Sequence, residues 1–148
     1  MIQNWKYLIQ QANDAYQDNA YSEAISLNQQ ALEYAKEIFH DEFYRDPSSA
    51  VAASTISFLN LAESYTAVGD LLSANNQYKN AIHFLQMAVV HLALNDTNSD
   101  LIMRTAGKIQ FEWSLFSKHH DVDIPIQSAE LMRSVSLAIT YAKNTIHH

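Results

Sequence analysis

Apolar side chains recur every three or four residues along most of the chain, with polar side chains between them. This spacing places the apolar positions on one face of an α-helix, where they can pack against a neighbouring element. The stripes are separated by short polar breaks and predict six helices. Their predicted ranges are about 2–18, 21–40, 50–68, 71–94, 100–118 and 125–145.

The breaks contain residues that end or begin helices. Asn19 and Gly69 follow the first and third stripes, and both residue types adopt the left-handed conformation that closes a helix. Residues 41–49 predict a loop that ends in a helix N-cap, and residues 95–99 predict a polar linker. Pro125 fits the first turn of the sixth helix. Because the breaks are short, consecutive helices are expected to be antiparallel, giving hairpins at about 2–40, 50–94 and 100–145 of a single domain, 1–148.

The first two hairpins are similar at an offset of 50 residues, since Ala24 and Ala74 occupy corresponding positions after the two turns. In the second hairpin, large, small, aromatic and turn residues follow one another in a fixed order: Phe58, Leu61, Ala62, Tyr65, Gly69, Leu71, Ala74, Tyr78 and Ala81. This order resembles the tetratricopeptide repeat. The first hairpin follows it less closely, with Leu8, Ala12, Ala15, Asn19, Tyr21, Ala24 and Ala31 in these positions and Asn28 where an aromatic is usual.

The resemblance implies an all-α protein of about six antiparallel helices, arranged as three stacked hairpins in a right-handed α-solenoid. The offset of 50 residues between Ala24 and Ala74 exceeds the family's period of about 34, so this chain resembles a long-helix variant. Small residues such as Ala62 let the two helices of a hairpin approach closely. A plain six-helix bundle without a groove is the alternative packing.

In tetratricopeptide proteins, the first helices of the hairpins line a concave groove that binds a peptide or a helix of a partner. The resemblance therefore assigns a set of partner-binding residues to the first two hairpins. They are Lys6, Ile9, Gln10, Asn13, Tyr16, Gln17, Ile56, Leu59, Asn60, Glu63 and Thr66. The alternative is that these residues form ordinary solvated helix faces.

Some members of that family hold the C-terminal carboxylate of a partner with asparagines from two repeats and two basic residues four apart on a third. Asn13 and Asn60 stand at the asparagine positions, and Arg104 and Lys108 have the spacing that puts two cations on one helix face. Ile9 replaces the lysine of the first repeat. A carboxylate clamp and a scattered set of surface polar residues are both compatible with this pattern.

Composition narrows the functional classes further. The formal net charge is −7 and no basic stripe is present, which argues against nucleic acid and anionic membranes as partners. No apolar run approaches the roughly 18 residues that span a bilayer, and no signal peptide is visible, so a cytoplasmic location is expected. There are 2 glycines, 0 cysteines and no catalytic or nucleotide-binding motif. We therefore expect neither an enzyme nor a cofactor, and we assign no metal to His119, His120 and Asp121.

The sequence thus predicts a protein–protein interaction module, either an adaptor or a chaperone-like protein, whose partner is a peptide or helix. A secretion-type chaperone is a special case by analogy. The alternative is a structural domain that forms a homodimer through its C-terminal helix, whose apolar residues are spread more widely than a single stripe. These residues are Leu131, Met132, Val135, Leu137, Ile139, Tyr141 and Ile146.

Overall fold

The computed structural model describes residues 1–91, 95–121, 129–130 and 132–140. Five helices are defined: α1 (Ile2–Gln17), α2 (Tyr21–Glu42), α3 (Pro47–Ala67), α4 (Leu71–His91) and α5 (Asp96–His120). Residues 129–130 and 132–140 are also helical, and the described ranges contain no strand. The prediction of an all-helical chain is confirmed. None of the helices in these ranges is both long enough and apolar enough to cross a membrane.

The predicted loop at residues 41–49 is wrong in extent. The second helix continues to Glu42 and the third begins at Pro47, so only residues 43–46 connect them. Proline at the first helical position loses no hydrogen bond there, and the Asp46 carboxylate accepts a hydrogen bond from the backbone N–H of Ser49 at 3.2 Å. The polar residues after the proline therefore belong to the first turn of α3.

The predicted linker at residues 95–99 is also wrong, because most of these polar residues form the first turn of a helix. Asn95 is the N-cap of α5, and its side-chain oxygen accepts a hydrogen bond from the backbone N–H of Asn98 at 2.8 Å. The helix thus begins at Asp96, within the polar run. The helix start predicted at Pro125 and the predicted end of α4 at residues 92–94 lie outside the described residues.

The turns after α1 and α3 have the same left-handed geometry. Asn19 has φ of 62° and Gly69 has φ of 80°. In the first turn Ala20 N–H donates to Ala15 O at 2.8 Å, and in the second Asp70 N–H donates to Tyr65 O at 3.0 Å. These six-to-one bonds define the Schellman motif, which satisfies carbonyls at a helix end. The helix stops predicted at Asn19 and Gly69 are confirmed.

The chain divides into two compact units, Met1–Gln77 and Tyr78–His148. In the first unit α2 packs against both α1 and α3, and α1 also contacts α3. The side of α2 used for this packing carries Ala24, Ala31 and Ala35, all fully buried. Their small side chains let the neighbouring helices approach closely.

A buried polar link joins α1 to α3. The Trp5 indole N–H donates to Ser57 Oγ at 2.9 Å, and the Ser57 hydroxyl donates in turn to the Ala53 carbonyl at 2.9 Å. Both side chains are buried, so the hydrogen bonds satisfy groups that water cannot reach. This link fixes α1 beside α3 in the first unit.

The second unit has an aromatic core. Tyr78 stacks on Trp113 with ring centroids 6.3 Å apart and contacts Phe116 at 5.3 Å. All three rings are buried, and Ile102, Ala106 and Ile109 continue the buried stripe of α5. Among the large aromatic residues of α1, α3, α4 and α5, Trp5, Phe58, Tyr78 and Trp113 are buried and Tyr65 is half-buried.

Candidate functional site

A cavity of about 310 Å³ lies in the first unit, where α1, α2 and α3 meet. Its lining is mostly polar. It consists of Ala12, Asn13, Tyr16 and Gln17 from α1, Asn28 from α2, and Asn60, Glu63 and Ser64 from α3. We call this feature the α1–α3 cavity.

The two walls of the α1–α3 cavity are built by helical periodicity. Asn13, Tyr16 and Gln17 follow the i, i+3, i+4 spacing that keeps side chains on one helix face. Asn60, Glu63 and Ser64 repeat that spacing on α3. On the other faces of these helices, apolar residues such as Ala15 and Leu61 are buried in the core. The core packing of α1 and α3 therefore sets the position of both polar walls.

Tyr16 on α1 and Glu63 on α3, both in the cavity lining, interact through the Glu63 charge and a side-chain hydrogen bond to its carboxylate. Burial and, after it, the Glu63 charge raise the pKa of the Tyr16 hydroxyl above its ordinary value of 10.0. Tyr16 consequently keeps its proton at neutral pH and remains a donor to Glu63. The exposed Glu63 carboxylate keeps further acceptor positions besides this contact.

Asn28 supplies the wall from α2 and is only 2% exposed. Its side-chain Oδ1 is buried and accepts no hydrogen bond from any residue within the described ranges. Buried polar atoms in folded proteins nearly always have a partner, so an orphaned carbonyl oxygen beside a cavity is an unusual feature. The Asn28 amide must turn toward the cavity before an incoming donor can reach this oxygen.

The cavity lining carries a negative charge and no positive charge. Among its eight residues, Glu63 is the one ionisable acid and none is Lys, Arg or His. The remaining polar groups are three asparagines and a glutamine, a tyrosine and a serine. The cavity therefore offers hydrogen-bond acceptors and donors together with one negative charge.

The structure brings some of the predicted binding residues together and leaves others apart. Asn13, Tyr16, Gln17, Asn60 and Glu63 all line the α1–α3 cavity. The other predicted residues of these two helices do not line it: Lys6 and Gln10 are exposed, and Ile9, Ile56, Leu59 and Thr66 are half-buried.

The two cations predicted for a carboxylate clamp lie in the second unit. Arg104 lines a separate depression of about 360 Å³ together with Thr97, Asp100 and Met103. Lys108 is exposed one turn further along α5 and does not line that depression. The acid Asp100 thus accompanies Arg104 in its pocket.

Sequence reasoning did not assign Ala12, Asn28 or Ser64 to the site. The first and last are small buried residues whose positions in the wall depend on how the helices pack. Asn28 did give a signal, because it is a polar residue at a buried repeat position where an aromatic is usual. A buried polar residue in an otherwise apolar pattern is the kind of departure that points to a site.

Within the described part of the chain, no three His, Cys, Asp or Glu side chains are grouped so that they could hold a metal ion. The rings of His119 and His120 contact each other at 5.5 Å, and that of His120 contacts Phe116 at 5.2 Å.

These features define an all-helical protein with a polar cavity at the meeting of its first three helices. A family model described as protein of unknown function (DUF2753) matches residues 3–147, and the chain belongs to this family. No curated protein matches the chain, and no solved structure matches it.

Proposed function

We propose that this protein is a protein–protein interaction module, an adaptor or chaperone-like protein that binds a peptide or helix of a partner along α1 and α3. The observation that carries the proposal is the α1–α3 cavity. Five side chains that the tetratricopeptide resemblance assigns to a binding groove line this one cavity.

The proposed architecture is a tetratricopeptide-like stack of hairpins with a right-handed turn. Supporting it, α2 packs on both α1 and α3, as the second helix of one hairpin does against the first helix of the next. The Gln29 side-chain amide on α2 also donates to the Tyr65 hydroxyl on α3 at 3.0 Å. The Schellman turns at Asn19 and Gly69 recur at the offset of 50 residues seen in the sequence.

The dimensions of the cavity favour a side chain of a peptide over a metabolite. A volume of about 310 Å³ is at the lower end of the range for small-molecule pockets, which usually have mostly apolar walls. Here the walls are amide-rich. Such walls suit a peptide, whose backbone and side chains both donate and accept hydrogen bonds.

A carboxylate as the recognised group is less favourable. The Glu63 charge lies in the same cavity as Asn13 and Asn60, and like charges repel across short distances. For this reason the proposal concerns internal peptide segments and does not extend to a C-terminal carboxylate.

A homodimer is the second candidate, and exposed apolar residues of the second unit favour it. Phe111 and Leu115 are 63% and 48% exposed and stand one turn apart on α5. In the C-terminal helix, Leu137 is 63% exposed while Val135 and Ile139 are buried. Leu131, Tyr141 and Ile146 lie outside the described residues. Light scattering distinguishes a dimer from a monomer.

The experiment that tests the groove is an affinity capture from native lysate with three forms of the protein, quantified by mass spectrometry. The forms are the wild type, Asn13→Ala with Asn60→Ala, and a control with Asn76→Ala and Asn80→Ala. The control removes two exposed asparagines of α4 that do not line the cavity.

We expect a partner that the wild type and the control capture equally and that the cavity variant captures about tenfold less. All three forms should have nearly the same melting temperature, because exposed or half-buried asparagines contribute little to stability. Equal capture of every protein by all three forms contradicts the proposal.

A further inference from the structure

We propose that the α1–α3 cavity recognises a basic side chain, so that the partner segment presents a lysine or an arginine to Glu63 and Asn28. This inference rests on the proposed function and names the chemistry of the peptide. The ammonium or guanidinium group would enter the cavity, and the rest of the segment would lie along α1 and α3.

The hydrogen-bond acceptors of the cavity favour a basic side chain. Lysine and arginine side chains carry only donors, so they need acceptors on every side. The cavity supplies the unpartnered Asn28 Oδ1, the carboxylate of Glu63 and the side-chain oxygens of Asn13 and Asn60. A ligand group that carries acceptors alone, such as a carboxylate, would leave the Asn28 oxygen without a donor.

The charge of Glu63 also favours a basic side chain in the cavity. Glu63 has no basic residue beside it in the cavity, and the ion pairs among the described residues, Lys36–Glu33 and Arg45–Glu42, do not involve it. The interaction with Tyr16, a neutral group, leaves the charge of this carboxylate in place. A cationic side chain completes the site, because a charge-assisted hydrogen bond is about twice as strong as a neutral one.

The first 50 residues carry an excess of acids over bases. Residues 1–50 carry the acids Asp14, Asp18, Glu23, Glu33, Glu37, Asp41, Glu42 and Asp46 against the bases Lys6, Lys36 and Arg45. A surface with this excess of acids attracts basic segments over a distance of about one Debye length, roughly 8–10 Å in physiological salt. General attraction of this kind is not a binding site, so the test must separate it from the contact with Glu63.

The test uses a phage-displayed library of random dodecapeptides, selected in parallel on the wild type, Glu63→Gln and Glu37→Gln. The Gln side chain keeps the shape of Glu and removes its charge. Each variant loses one negative charge, so the two have equal net charge. Glu37 serves as the control because it is exposed on α2 and does not line the cavity. A selected peptide and its analogue with the basic residue changed to glutamine are then titrated by fluorescence polarisation.

We expect peptides selected on the wild type and on Glu37→Gln to share a lysine or arginine. Changing it to glutamine should weaken binding about tenfold on these two forms and less than about twofold on Glu63→Gln, since the carboxylate is then missing. Asn28→Leu should weaken binding of the basic peptide as well, because it removes the acceptor.

Three results overturn the inference. If Glu63→Gln and Glu37→Gln weaken binding of the basic peptide equally, the attraction is general and does not depend on a contact with Glu63. Peptides that lack a basic residue but depend on Asn13 and Asn60 show that the groove binds another chemistry, and the proposed function then survives. If no peptide is enriched on the wild type, both the inference and the proposed function fail.

Discussion

At the scale of single residues, Asn28 bears most directly on the proposed function. It occupies a buried position of the first hairpin that corresponds to Tyr78 in the second, at the offset of 50 residues. Its orphaned Oδ1 gives the folded protein an unsatisfied acceptor, which costs free energy unless a donor arrives. A residue of this kind is expected where binding has a greater influence than stability.

Asn28→Leu should therefore stabilise the free protein while it weakens peptide binding. Leucine has a similar shape and no polar atoms, and an unsatisfied buried carbonyl costs about 1–3 kcal/mol, so we expect a gain of about 1 kcal/mol in the free energy of unfolding. Denaturation in urea measures the change. The control is Asn76→Leu at an exposed position of α4, which should change stability by less than about 0.5 kcal/mol. A loss of stability in Asn28→Leu would show that the amide is needed structurally.

At the scale of the elements, the ends of the helices depend on a few residues with defined conformations. Asn19 and Gly69 have positive φ in equivalent Schellman turns, although only one of them is a glycine. Asparagine tolerates the left-handed region better than other residues that carry a Cβ atom, but less well than glycine.

These turns give a paired prediction. Gly69→Ala should lower the free energy of unfolding by about 1–2 kcal/mol, because alanine is strained at a φ of 80° even though open space surrounds the added methyl group. Asn19→Gly should change it by no more than about 0.5 kcal/mol, since glycine adopts the same turn without strain. Denaturant titration of both variants checks this pair. A Gly69→Ala variant as stable as the wild type would show that the turn can change its conformation.

The N-caps of α3 and α4 predict how stability depends on pH. Hydrogen bonds from the side chain and then the backbone N–H of Ser49 lower the pKa of Asp46 below its ordinary 3.8. Those from Ser73 lower the pKa of Asp70 in the same way. Because the folded-state pKa values are lowered, these caps stabilise the protein fully above the ordinary value. Their contribution is lost as the pH falls through the lowered values.

Replacing both caps by asparagine should make the protein less sensitive to acid. Asparagine accepts the same hydrogen bond without titrating, as Asn95 does at the start of α5. Between neutral pH and strongly acidic pH, the melting temperature of Asp46→Asn with Asp70→Asn should therefore fall less than that of the wild type. Calorimetry over a pH series measures the difference. Parallel curves for the two proteins would mean that the caps do not contribute to acid unfolding.

At the scale of the whole molecule, sequence periodicity was enough to predict the helices and the two left-handed turns. It failed where polar residues begin a helix: Pro47 and Asp96 start α3 and α5 inside runs that look like loops. The polar walls of the α1–α3 cavity were predicted in part, because the tetratricopeptide resemblance assigns Asn13 and Asn60 to a binding groove. The part played by Asn28 could not be predicted in the same way, since it depends on how α2 packs between two other helices.

The central claim is that the α1–α3 cavity is where a partner peptide binds, and a nuclear magnetic resonance titration tests it most directly. The ¹⁵N-labelled protein is titrated with a peptide selected from the random library, and its amide shifts are followed. The account predicts that the largest changes occur at the backbone amides of Asn13, Asn60 and Glu63 and at the side-chain amide of Asn28. Changes confined to the second unit, for example around Arg104, with α1 and α3 unaffected, would contradict it.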